Sequence, residues 1–112
     1  MVPPRPLLVV IFLFLPALGA MAESVSFRET FALVLGAAMA AEKTCQMRGE
    51  LGWAKGWVDK FQTGFDFGRN REDTALFLYM AAKVESRRKE IGNHAWCIEY
   101  RARKYLMEKH GL

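Results

Sequence analysis

The chain is poor in the residues that do chemistry. Two cysteines and two histidines stand among 112 residues, and no C-x-x-C, C-x-x-C-H, G-x-S-x-G, phosphate-loop or H-E-x-x-H pattern occurs. Those absences argue against a dithiol redox centre, covalent haem, a serine hydrolase, a nucleotide cradle and a zinc protease. Strand signals are missing too: apolar and polar residues do not alternate, and β-branched residues are rare beyond the first twenty or so positions. Neither charge sign dominates. Sixteen Lys and Arg against twelve Asp and Glu leave +4, too little to mark a nucleic-acid partner. Glu72 and Asp73 are adjacent at a helix start, where they complement the dipole instead of facing each other across a cleft. The chain is therefore read as non-enzymatic, with no catalytic residue, metal or cofactor. The exception would be a dispersed site gathering His94 with a carboxylate.

What is present begins with a leader. Arg5 and the amino terminus make a positive start, Leu7 to Leu15 is unbroken apolar sequence, and Pro16 with small residues follows. Ala20-Met21-Ala22 fits the small-x-small cleavage rule, with Ala17-Leu18-Gly19 as a second option. Residues 1–22 are read as a cleavable signal peptide and 23–112 as a single helical domain. The apolar run to Ala22 is short of the roughly 20 residues needed to span a bilayer. Loss of Arg5 lowers the charge to +3. The ninety residues that remain suit one small domain, a size that often needs a covalent staple. Export places the protein in the periplasm first and the extracellular space second.

The domain is expected to be all-α, a bundle of about four short helices. Ser26 and Glu29 form a capping box, and Phe31, Val34, Ala38, Ala41 and Cys45 recur on one helical face. From Phe31 to Ala41 the other faces are apolar as well, so this helix should be central and run to about Arg48, with Gly49 as its C′ residue. A second helix is expected from Trp53 to Thr63, and a loop from Gly64 to Asn70. Asn70 should cap a third helix from Arg71 to about Glu90 that turns Leu76, Met80 and Val84 inward. Asn93 should cap a fourth, His94 to His110. Its inner face is read as Ile98, Ala102, Tyr105 and Leu106, with Arg101, Arg103, Lys104 and Lys109 outside.

In an oxidising compartment the two cysteines should pair, Cys45 with Cys97. The competing uses are weaker: a reactive thiol has only His94 nearby, and a metal set of Cys45, Cys97, His94 and His110 lacks finger or ribbon spacing. Two surfaces remain for recognition. Trp53, Trp57, Phe61 and Phe65 form a stripe that serves either as core or as a partner face. The clusters Arg87-Arg88-Lys89 and Arg101-x-Arg103-Lys104 point to an acidic partner or peripheral contact with an anionic membrane, against the plainer reading of dipole complement and solvation.

A leader, about ninety further residues, helices throughout and one long-range disulfide make a layout similar to that of the acid-stress periplasmic chaperones of the HdeA type. Gly52-Trp53-x-x-Gly56-Trp57 and Tyr105-Leu106-x-x-x-His110 resemble segments of the Tai-type periplasmic immunity proteins. That group carries more cysteines, and its spacing after the second cysteine differs, so no residue role transfers. The expectation is an exported protein that binds a protein or envelope partner through Trp53, Trp57, Phe61, Arg87, Arg88, Arg101, Arg103 and Lys104. A stress chaperone and an immunity-type inhibitor are the alternatives.

Overall fold

The computed structural model describes residues 27–61 and 63–110, so both proposed cleavage sites and Ser26 lie outside the described residues. Four helices follow one another: α1 (Phe27–Thr44), α2 (Glu50–Asp59), α3 (Arg71–Ile91) and α4 (Asn93–Lys109). Among the described residues there is no strand.

Helix α1 is the axis of the bundle. Phe31, Ala32, Leu33, Val34, Leu35, Ala37, Ala38, Ala40 and Ala41 are all buried, which only a helix surrounded by partners can achieve. It packs most extensively on α3, then on α2, and least on α4. The small residues of its middle set the approach of α3. A Cβ on Gly36 would lie 3.2 Å from the Ala81 Cα and 3.3 Å from its nitrogen, and backbone cannot swing aside as a side chain can. Gly36→Val is therefore expected to lower unfolding stability by about 2 kcal/mol, read from chemical denaturation.

The ends of the elements depart from expectation in instructive ways. α1 stops at Thr44, four residues short of Arg48, and Gln46 turns through a positive φ of 55°. Gly49, at φ 76°, precedes α2 as its N-cap instead of closing α1. Helix α2 therefore begins at Glu50, earlier than Trp53, and ends at Asp59 instead of Thr63. Asn70 does cap α3, its Oδ1 accepting the Asp73 amide at 3.0 Å. Asn93 does not cap α4. Gly92, at φ 89°, takes that place, and the Asn93 side chain accepts a hydrogen bond from Arg88 instead.

The largest correction concerns α4. Its expected inner residues point outward: Ile98 is 54% exposed, Tyr105 62% and Leu106 37%, and Ala102 is exposed with them. Trp96, Cys97, Tyr100 and Met107 are the buried ones. Two of the four cations expected outside, Arg103 and Lys104, turn inward, with side chains only 16% and 19% exposed. The cause is rotational. Cys97 and Cys45 lie with Cα atoms 5.7 Å apart and sulfurs at bonding distance. At about 100° per residue, Trp96 and Met107 lie to one side of Cys97 and Ile98 and Tyr105 equally far to the other, so the cystine narrows the choice. The Glu50 contacts of Tyr100 and Lys104, both on the Trp96 side, turn that side inward.

Candidate functional site

The residues singled out for recognition fall into two groups, and most of them hold the fold together. Trp57 is 2% exposed. Its ring lies 5.7 Å from Phe31 and 5.0 Å from Phe61, both nearly edge-on, arrangements aromatic rings favour. Phe61 is half-buried and sits 5.3 Å from Phe31, while Phe65 is buried against the same ring at 6.1 Å. Trp53 is half-buried, and the Lys104 ammonium rides 4.9 Å from its ring centroid. The stripe thus closes over Phe31 and leaves Trp53 at its edge.

The basic clusters are mostly engaged within the chain. Arg87 donates to Glu99 at 3.1 Å, and Arg103 reaches the same carboxylate at 3.7 Å. Arg88 grips Glu85 at 2.7 Å, and the Glu85 carboxyl is held below its ordinary range chiefly by that hydrogen bond. Burial pulls the Arg103 guanidinium down from its usual value. Of the six cations Lys89 and Arg101 are exposed, the Arg101 Nη2 3.4 Å from the Cys45 carbonyl oxygen.

Two buried carboxylates organise the molecule, and neither stands out in the sequence. Glu50 is 4% exposed. It accepts the Tyr100 hydroxyl at 2.9 Å and the Lys104 ammonium at 2.9 Å on each oxygen, tying α2 to α4. Asp73 is 1% exposed. It takes the Arg28 guanidinium and, at 2.9 Å, the Asp66 amide, so it pins the start of α1 and the loop before α3. Unpaired, either charge would be costly to bury, which is why each has several donors.

Burial, and secondarily the bond to Glu50, pushes the Tyr100 phenol far above its ordinary value. Below about pH 10 the folded and unfolded chains both keep this proton, so no stability is lost. Above it the unfolded chain sheds the proton first and is favoured. The unfolding temperature should accordingly be unaffected by Tyr100 ionisation near neutrality and fall as pH rises past about 10, with a shallower alkaline fall in Tyr100→Phe.

An open cleft lies on the far side of α2. It holds about 550 Å³ between α2 and the 64–69 loop, over α1. Leu35, Val58, Phe65 and Phe67 supply its apolar floor, and Lys55, Asp59, Asp66 and Arg69 stand around the rim. Local chemistry shapes the loop wall. The Asp66 carboxylate accepts the amides of Gly68 and Arg69 at 3.0 and 3.2 Å, an Asx-type turn. Phe67 stacks on Phe77 with centroids 4.4 Å apart, and Lys55 lies 5.3 Å from the Phe67 ring. Gly64 closes the corner at φ 74°, a conformation glycine adopts freely.

His94 and His110 lie on and just beyond α4, both exposed, and neither lines the cleft. Among the described residues no group of three or more His, Cys, Asp or Glu could hold a metal ion, and no helix is long and apolar enough to cross a membrane. Compared with known proteins, the chain matches no family model, no curated protein and no solved structure. The geometry of its own surfaces is what any functional reading rests on.

Proposed function

We propose that this is an exported, non-enzymatic helical protein that acts by holding a segment of an envelope protein in the cleft beside α2. The observation that carries the reading is the cleft: about 550 Å³, within the usual range of roughly 300–1,000 Å³ for binding sites. Its apolar floor favours burying side chains of a partner. A rim with two cations and two anions favours a segment carrying both signs over a lipid or a polyanion. The lining includes no serine, cysteine or histidine, the commonest hydroxyl, thiol and imidazole groups of catalytic sites, which supports recognition over chemistry. The leader pattern supports export, and two cysteines at bonding distance suit an oxidising compartment such as the periplasm.

The test is capture from an envelope extract by immobilised oxidised protein, with the captured proteins identified by mass. Lys55 and Arg69 are exposed, so Lys55→Glu with Arg69→Glu changes the rim without entering the core. That double variant should unfold at the wild-type temperature and lose the captured partner by about tenfold or more, since like-charge contacts cost a kcal/mol or more across an interface. Undiminished capture of the same proteins would remove the cleft from consideration as the binding surface.

A further inference from the structure

The solvent side of α4 is not the polar face that an edge helix ordinarily shows. Ala95, Ile98, Ala102 and Tyr105 follow at steps of three, four and three residues, and all four are exposed. That is the a/d spacing of a helix seam, with small and large side chains alternating along it. Leu106, 37% exposed, widens the stripe. The flanks differ. On one side Glu99 is already occupied by Arg87 and Arg103. On the other, Arg101 and Glu108, one heptad apart, are both exposed, opposite charges beside an apolar seam. Their contacts within the chain are long, 3.4 Å from Arg101 to the Cys45 carbonyl and 3.9 Å from Glu108 to Lys104.

We propose that this face binds a second copy of the same chain, the two α4 helices lying antiparallel about a two-fold axis with Tyr105 of each copy seated over Ala102 of the other. A two-fold contact must be complementary to itself, and this helix is. In that register Arg101 of each copy stands opposite Glu108 of the other, and symmetry makes the contact twice. Ile98 meets the aliphatic stem of Lys109, which can cover it while keeping its ammonium in water. Sliding by one heptad puts Ile98 over Ala102 but sets each Arg101 against its own counterpart and each Glu99 against Glu99. Charge therefore selects the first register, since like charges facing each other are destabilising. The stripe is narrow, so the paired helices bury on the order of 1,000 Å² in total, the low end for a specific interface. The dimer is correspondingly weak and concentration-dependent. The cleft draws no residue from α4, so pairing leaves it open.

Sedimentation equilibrium of the oxidised protein between roughly 10 µM and 1 mM reads this directly. The wild type should show reversible monomer–dimer exchange. Ile98→Glu should be monomeric throughout, with wild-type helicity and unfolding temperature because the site is exposed; Tyr105→Ser serves if that variant fails to fold. Arg101→Glu should weaken the dimer about tenfold, and Arg101→Glu with Glu108→Arg should restore it to within about twofold, the signature of a direct pair. The cleft variants should dimerise normally. A wild type that stays monomeric to the highest concentration, a dimer indifferent to both Ile98→Glu and Tyr105→Ser, or a double charge reversal as weak as the single one would each overturn the proposal. Loss of capture by the cleft variants with dimerisation intact keeps the two readings separate.

Discussion

Trp57→Ala is expected to destabilise the domain by about 4 kcal/mol, the range found when a large buried ring is truncated. The ring is 2% exposed and packs edge-on against Phe31 and Phe61, so its removal opens a void beside the central helix that neighbouring rings cannot fill. A small domain holds only about 5–15 kcal/mol in all. The variant should therefore unfold at a markedly lower denaturant midpoint, and any loss of partner binding would follow from lost structure. Trp53→Ala, at a half-buried residue, should cost much less. A Trp57→Ala protein as stable as the wild type would contradict the packing described above.

Breaking the link between Cys45 and Cys97 should have a comparable effect. The two are 52 residues apart in sequence, and releasing a loop of that length from the unfolded chain is worth about 4 kcal/mol in the chain-entropy model. The consequence is local as well as global. Besides the cystine, α4 is held to the bundle by the Trp96–Tyr100–Met107 face, the Glu50 contacts of Tyr100 and Lys104 and the polar contacts of Glu99 with Arg87 and of Asn93 with Arg88. Cys45→Ser with Cys97→Ser should first lose amide protection in α4, while α1 and α3 keep theirs. Hydrogen exchange of the two proteins checks both the size of the effect and its place.

How far the sequence foretold this molecule depends on the element. α1 was legible because its apolar residues leave no polar face, and such a helix has only one place to go. α3 was legible from its cap, Asn70, and from Met80 and Val84, which share the buried face with Phe77. α4 was not, because it carries two apolar stripes: Trp96, Tyr100 and Met107 on one side, Ala95, Ile98, Ala102 and Tyr105 on another. Periodicity cannot rank two such faces, and neither can Cys97, which lies midway between them around the helix; the contacts of Tyr100 and Lys104 with Glu50 decide. Glu50 and Asp73 were hidden for a different reason. Asp73 reads locally as an acid in a helix's first turn and Glu50 as part of the stretch before a helix, and the side chains that satisfy them, Arg28, Tyr100 and Lys104, lie 45 to 54 residues away along the chain. The cleft was invisible because three segments build it, and no one of them has a binding pattern alone. The stripe Trp53, Trp57, Phe61 and Phe65 stands out in the sequence, yet most of its surface closes over Phe31.

The orientation of α4 carries the most weight, since both the domain's closure and the proposed pairing depend on it. Hydroxyl-radical footprinting of the oxidised protein, diluted below the range where it associates, reads that orientation residue by residue. Tyr105 and Ile98 should be oxidised readily while Tyr100, Trp96 and Met107 on the same helix are protected. Protection of Tyr105 and Ile98 in the monomer, with Tyr100 and Trp96 labelled in their place, would show the helix turned the other way and contradict the account.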